Sequence, residues 1–512
     1  MSMKTNKLRG FFTVIFLLAG LNACNGDGST GSPAADDKQD PVVTKNIILM
    51  ITDGASDGTW DIASYWTQGE PLNKTAPYNK LPTRLAMSTF ALWQRHSPVS
   101  CDKKKVQEDG YVAELAWDTH PANQAPPGDG SAGSSAYFRP FEGYNYLNRN
   151  YTDSAAAATA MATGEKTYLG AIGVDYCGQP LTNLVSIAKQ KEWATGVVTS
   201  VPFNHATPAG FAAHNTLRSN YQQIAHEMLT SGKLDVVMGA GHPHYTNDNQ
   251  VRNAAAYTYI SQADFERLRS GNFVAQNNQK PWLLIEDKND FEMLAADIAS
   301  DIANEQPIMG LVQVGSTLQA RRACSKSSTV AFTCPFNSNV PTLSTLAKGA
   351  LNALSRNENG MFVMIEGGAV DWAAHDNNLS ALIEEQVDFN QTVATVVEWV
   401  ERNSNWQETV LIVTSDHGNA FVLGEDSAQI PFAQVTNPGA QNMPSVKFFS
   451  NNHTNELVRV YAKGKASSKF EQYLTGTDFN FPENYNHTGA SGQFIDNTAI
   501  FHLVEGIIMQ QQ

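Results

Sequence analysis

Continuous apolar runs, with no polar residue at every second position, mark the strands of this chain. NIILMIT (Asn46 to Thr52), MFVMI from Met361 and TVLIVTS from Thr409 are of this kind, the pattern of parallel strands covered on both faces. DVVMGAG, ending at Gly241, reads as a further strand. TLSTLAKGALNALSRN and EEQVDFNQTVATVVEWVERN have a helical period, and in the second Val393, Val396, Val397 and Val400 fall on one face. Strands alternating with helices predict an α/β fold built on a parallel sheet.

Acids and histidines stand where these strands end. Asp53 follows the first run within TDGASDG; the second stops at Glu366 and continues as EGGAVDWAAH, with Asp371 and His375; the third delivers Asp416 and His417. Ligands of open α/β sheets bind beyond the carboxyl ends of strands, so the three segments are expected to meet. On a helix, Asp371 and His375 project from one face. Carboxylate and imidazole suit zinc, with a coordination position left for substrate or water. Each pair alone reads equally as a solvated helix face or a turn.

Ser154 opens the alanine-rich TDSAAAATAMATG, which predicts a helix with Ser154 at or just inside its N-terminus. That position suits a helix cap. It also suits a nucleophile carrying a phosphate, because free N–H groups and the helix dipole favour an anion there.

Taken together, these segments resemble the alkaline phosphatases. TDSAAAATAMATG is similar to that family's nucleophile segment, and TDGASDG, EGGAVDWAAH and TSDHG to its metal-binding strand ends. HATPAGFAAHNTLR (His205 to Arg218) resembles its third-metal and arginine segment, and HTNELVRVYAKG, from His453, its last ligand segment. The resemblance implies a large central, mostly parallel sheet flanked by helices on both faces. It implies Ser154 as nucleophile and Arg218 as a bidentate clamp on phosphoryl oxygens. One zinc ion would take Asp371, His375 and His453; a second would take Asp53, Asp416, His417 and Ser154. A third ion, magnesium in most members, would take Glu366, Thr207 and a shared oxygen of Asp53, with His205 beside it. His205 and Trp372 depart from the best-known bacterial pattern of aspartate and lysine, which bears on the third metal. Trp372 is expected either to pack against the metal-bearing helix or to shape phosphate access.

Other histidines are given lesser parts. His214 is read as a hydrogen-bonded residue behind the site, His487 as lacking the apolar strand that follows His453, and His242 and His244 as members of a surface loop.

Charge agrees with an anionic substrate. About six positive charges from three divalent ions exceed the four of Asp53, Glu366, Asp371 and Asp416, so phosphate is drawn in although the formal net charge is -15. An acidic chain without a basic stripe argues against nucleic-acid recognition.

Lys4, Lys7 and Arg9 precede FFTVIFLLAG, the asymmetry of a secretory leader over residues 1–23. LNAC resembles a bacterial lipoprotein processing site with Cys24 as the lipidated residue; soluble export is the alternative. Residues 24–45 have the composition of a flexible tether. Of the four remaining cysteines, Cys324 and Cys334 bracket a short loop and form the natural disulfide. Cys101 with Cys177 follows by elimination, although three connectivities are formally open.

The spread of candidate ligands from Asp53 to His453 argues for one catalytic domain over 46–512, with insertions near 97–150 and 241–340. The former would cover the site or make a subunit contact. The expected activity is hydrolysis of phosphate monoesters through a phosphoserine by an exported, periplasmic or envelope-bound enzyme, with a homodimer as a possible assembly. A phosphodiesterase or sulfatase of the same architecture is the alternative, although no CxPxR motif is present. A binding protein without turnover would lack a ligand or the nucleophile, and neither is missing.

Overall fold

Strand β1, Asn46–Thr52, lies near the middle of the sheet and is buried along its whole length. Ile48 and Met50 point into one hydrophobic layer while Ile47, Leu49 and Ile51 point into the other, which is why the run lacks polar alternation. Each such side chain, fully buried, contributes about 1.5–3 kcal/mol. The computed structural model describes residues 43–103, 110–122, 137–276, 278, 280–297, 306–484 and 489–510. All belong to one compact unit, Val43–Gln512. The expected leader, Cys24, most of the tether and His487 lie outside the described residues, as do parts of the spans 97–150 and 241–340.

In chain order the further strands are β2 Thr83–Ser88, β3 Ala194–Pro202, β4 Val236–Ala240, β5 Leu283–Ile285, β6 Ile308–Leu311, β7 Met361–Gly367, β8 Thr409–Thr414, β9 Gly418–Asn419, β10 Val422–Gly424, β11 Val446–Phe448, β12 His453–Thr454, β13 Val458–Lys463, β14 Leu474–Thr477 and β15 Gln493–Asp496. Eleven of them form one sheet in the order β14-β15-β2-β13-β8-β1-β7-β3-β4-β6-β5. From β8 to β5 every neighbour is parallel, and β13 is antiparallel to both β8 and β2. The sheet is therefore mixed but mostly parallel, as expected.

Helices cover both faces. Asp57–Gln68, Leu343–Leu354 and Leu379–Asn403 supply one layer; Ser154–Thr163, Ala206–Ala212, Tyr221–Thr230 and Thr498–Ile508 supply the other. Val393, Val396, Val397 and Val400 are buried as one stripe. Among the described residues no helix is long and apolar enough to cross a membrane.

Two spans read as insertions have distinct places. Within 241–340, β5 and β6 extend the sheet beyond β4. Within 97–150, Tyr144 packs its ring among Phe421, Phe432 and Phe449, with centroids 4.8–5.0 Å away. Arg139 donates to the Phe449 carbonyl at 3.0 Å, so this span lies over the segment joining β8 to β12. The disulfides are Cys101–Cys177 and Cys324–Cys334, the second expected from its short loop and the first by elimination.

Candidate metal centre and active site

The helix Ser154–Thr163 is capped by Asp153, whose Oδ1 accepts from Ala156 N at 3.0 Å. Ser154 is thus the first helical residue and has no capping duty. Its Oγ lies 3.3 Å from His417 Nε2 and 3.5 Å from Asp53 Oδ1, and the residue is only 1% exposed. This separates the two readings of TDSAAAATA: the cap is the acid, which leaves the serine hydroxyl facing a buried cluster. The run is alanine-rich because the neighbouring helix Ala206–Ala212 approaches very closely. A Cβ on Gly210 would fall 2.7 Å from Ala158 Cβ, too close for any larger side chain.

Three adjacent parallel strands, β8, β1 and β7, end at nearly the same level, and β3 beside them runs on to Pro202. Ile51 pairs with Glu366 and Thr414, and Glu366 pairs with Thr199. One residue beyond β1 is Asp53, and two beyond β8 is Asp416, so three carboxylates converge with Ser154. Gly54 turns the chain at φ 69°; a Cβ there would meet Asp371 Oδ1 at 2.7 Å. The glycine is needed both for its backbone angle and for this approach.

Asp371 and His375 share one face of the helix Ala369–His375. Nε2 of His375 and Nε2 of His453 each lie 3.4 Å from Asp371 Oδ1 and 3.1 Å from one another. His375 Nδ1 is 2.7 Å from the Asn451 carbonyl and His453 Nδ1 2.7 Å from that of Thr152. Carbonyls only accept, so both rings carry a proton on Nδ1, and each turns its Nε2 to Asp371, where it can donate to the carboxylate or, deprotonated, offer a lone pair to a cation. His417 does likewise: Nδ1 faces the Gly418 carbonyl at 3.3 Å, and Nε2 lies 3.3 Å from Asp416 and 3.4 Å from Asp53. The His417 and His453 rings stack at 3.7 Å, so the two groups of ligand atoms are contiguous. Asp53, Asp416 and His417 have the spacing of a metal-binding group, as do Asp371, His417 and His453.

Burial and like charge make this cluster uncomfortable without cations. Asp53 is pushed well above its usual pKa by burial and by Asp416, Asp371 and Glu366. Burial drives Glu366 and Asp416 up to about 7. Asp371 is held well below the usual range because its three histidine neighbours outweigh burial. Burial and Arg218 take His205 down to about 3, so its imidazole is neutral. Asp53 Oδ2, Glu366 Oε1, Asp416 Oδ2, Thr207 Oγ1 and His205 Nδ1 are buried without a hydrogen-bond partner. A set of oxygen and imidazole donors left unpaired in this way fits divalent cations.

Arg218 donates from Nη1 to Asp153 Oδ2 at 2.9 Å. Asp153 also accepts from Gly170 N at 3.0 and 3.1 Å. Burial alone would raise its pKa, but Arg218 and the N–H groups of Ala156 and Gly170 prevail and hold it below the usual value. Asp153 therefore ties the arginine to the serine's helix, a role the sequence reading missed although the acid sits inside the motif. Asn419 and Thr199 were missed as well. Asn419 donates to Asp371 Oδ1 at 2.6 Å, and Thr199 Oγ1 donates to Glu366 Oε2; no local motif links either pair.

Of the lesser histidines, His214 has both nitrogens engaged, with Glu227 at 2.7 Å and the Leu181 carbonyl at 2.8 Å, away from the ligands. His242 corrects the surface-loop reading. It is 4% exposed, with Nε2 on Glu286 at 2.5 Å and Nδ1 accepting from His244 N at 3.0 Å. The loop after β4 folds inward because Glu286, just beyond β5, supplies the partner a buried imidazole needs. Trp372 packs beside Val201, Ala320 and Ala369 and meets the His205 ring edge-on at 5.5 Å.

A family model described as alkaline phosphatase matches residues 141–491. Alkaline phosphatase 4 of Bacillus subtilis is 31% identical over 281 residues, 54% of this chain and 51% of the relative. The alkaline phosphatase of Escherichia coli K12 is 29% identical over 361 residues, 64% of this chain and 72% of that one. The chain thus spans about half the length of the Bacillus protein. Among solved structures, alkaline phosphatase from the Antarctic bacterium TAB5 has the same fold, with a TM-score of 0.54 at 20% identity, covering 92% of this chain and 99% of that one. A TAB5 variant with the same coverage, TM-score 0.55 and 20% identity, was solved with Mg bound in its M3 site.

Proposed function

Because the chain belongs to the alkaline phosphatase family, we propose that it hydrolyses phosphate monoesters to alcohol and inorganic phosphate through a covalent phosphoserine at Ser154. The observation that carries this reading is the Ser154 hydroxyl, relieved of capping by Asp153 and set against Asp53 and His417. Asp371, His375 and His453 would hold one zinc ion, and Asp53, Asp416 and His417 with Ser154 a second. Glu366, Thr207 and Asp53, beside His205, would hold a magnesium ion. Bound there, such cations supply positive charge that lowers the pKa of a serine hydroxyl and stabilises a departing oxygen.

The chain's own groups do the rest. Arg218, anchored by Asp153, presents a planar set of donors to two phosphoryl oxygens. Ser154 Oγ attacks phosphorus in line, and the bond to the alcohol oxygen breaks as the new P–O bond forms. Backbone N–H groups at the start of the serine's helix stabilise the phosphate charge. Water then attacks the phosphoserine from the side the alcohol left, releasing phosphate and restoring the hydroxyl.

Two disulfides suit an oxidising compartment. With the leader-like N-terminus they support export to the periplasm or envelope; a lipid anchor at Cys24 rests on the LNAC motif, with soluble export as the alternative. Residues 46–512 would then act as one catalytic unit, alone or as a homodimer. Purified protein should hydrolyse a chromogenic phosphate monoester far faster than a diester or a sulfate ester and lose that activity to chelator. Faster diester or sulfate turnover would transfer the assignment to those reactions; turnover indifferent to chelator would remove the metals from it.

A further inference from the structure

The helix that carries two of the proposed zinc ligands has little of its own to hold it. Ala369–His375 spans seven residues, starts from Gly368, which offers no capping side chain, and is followed by a reversal at Asn377 with φ 47°. So short a helix is marginal by itself and takes its orientation from its neighbours. Trp372 and Asp376 each follow a ligand by one residue and are four residues apart, as Asp371 and His375 are. They form a second stripe, turned about 100° from the ligands.

Arg321 grips that stripe from outside. Its Nη1 donates to Asp376 Oδ2, and its guanidinium lies over the Trp372 ring, 5.4 Å from the centroid. Only a planar cation can stack and donate at once in this way. The arginine is fixed in turn by the segment 317–334. Arg321 N donates to Oγ1 of the buried Thr317 at 2.9 Å. Leu318 N donates to the Ser200 carbonyl at 3.0 Å, while Ser200 Oγ accepts from Ala369 N, at the start of the ligand helix, at 3.3 Å. Arg322, 1% exposed, donates to Glu384 at 2.6 Å and to the Cys334 carbonyl at 3.4 Å. The Cys324–Cys334 disulfide closes the loop, and the Ser325 carbonyl within it accepts at 3.0 Å from Asn378, the cap of Leu379–Asn403.

We propose that Arg321, seated on this disulfide-closed loop, is a positioning residue for the zinc group of Asp371, His375 and His453. It sets the rotation of the ligand helix through Trp372 and Asp376 and touches no zinc ligand itself. The inference rests on the metal reading above. Charge alone would act in the opposite sense, because a guanidinium near a divalent cation repels it. Removal of Arg321 therefore separates positioning, which predicts weaker zinc, from electrostatics, which predicts tighter zinc.

Chelator competition on the zinc-supplied protein provides the test, with circular dichroism to follow the fold. Arg321→Met is expected to bind one of the two zinc ions about three- to tenfold more weakly and to leave the ion of Asp53, Asp416 and His417 unchanged. Arg321→Lys, which keeps the charge and loses the planar face, should fall between. Asp376→Ala should cause part of the loss and add nothing when combined with Arg321→Met. Replacing Cys324 and Cys334 together by serine should reproduce the loss, whereas replacing Cys101 and Cys177 should not. Equal or tighter zinc in Arg321→Met, or equal weakening of both ions, would overturn the positioning role and leave the metal reading standing. A wild-type protein that takes up no zinc would overturn the metal reading and this inference with it.

Discussion

Asn419 donates its side-chain amide to Oδ1 of Asp371 at 2.6 Å, the oxygen that both His375 and His453 face. Its own Oδ1 accepts from Ala420 N at 2.6 Å, and its backbone pairs with His453 through β9 and β12. One residue therefore orients an acid and positions a histidine of the same proposed metal group. Partners of this kind are worth about 10- to 100-fold in metal affinity. Asn419→Ala is expected to weaken zinc binding by that factor in a chelator competition, with the fold retained by circular dichroism. Unchanged affinity would mean that Asp371 needs no outside support.

Asp153 has two duties that substitution can separate. Asparagine caps helices as well as aspartate does, whereas alanine costs about 1 kcal/mol at such a position. Asp153→Asn should therefore keep the melting temperature within a few degrees while weakening inorganic phosphate binding about tenfold, because Arg218 loses its charged anchor. Asp153→Ala should lose both. Equal phosphate inhibition in wild type and Asp153→Asn would show that the arginine holds its place unaided.

Glu366 and Asp416 set the pH response of the cation-free protein. Folding raises both to about 7 from ordinary values of 4.5 and 3.8. The native state thus binds more protons than the unfolded chain across that interval. The contribution of these two groups to stability without metal is fullest below about pH 4 and declines as pH rises toward about 7. With cations bound, the ionised carboxylates are the preferred form. The gap in melting temperature between chelated and metal-supplied protein should widen from about pH 5 to about pH 8; a constant gap would contradict this assignment.

Arg459, 1% exposed, bridges Asp57 through both Nε and Nη2 and reaches Asp61 at 3.2 Å. It fastens β13 to the helix that follows the Asp53 turn. Arg459→Met leaves two buried carboxylates uncompensated and should cost about 3–5 kcal/mol, read from urea midpoints at neutral pH. Recovery in Arg459→Met with Asp57→Leu and Asp61→Leu would assign the loss to stranded charge rather than to packing.

Strand ends were legible because sheets with both faces covered are written as unbroken apolar runs, and the first acid after NIILMIT or TVLIVTS has to emerge at the edge. Helical spacing likewise placed Asp371 beside His375. Partners distant in sequence were not legible. Nothing near Asn419 points to Asp371, nothing near Arg321 points to Asp376, and the inward turn of His242 depends on Glu286, 44 residues away. Ser154 lay between: its helix was readable, but whether serine or aspartate performed the capping was settled only by Asp153 Oδ1 reaching Ala156 N.

The most direct test is to trap the enzyme–phosphate adduct with labelled inorganic phosphate under acid quench and map it by peptide mass. Phosphate is expected on Ser154 in the wild-type protein and absent from Ser154→Ala, whose zinc content should be retained through the remaining ligands. Label on another residue, or undiminished incorporation in Ser154→Ala, would contradict the assignment of this serine as the nucleophile.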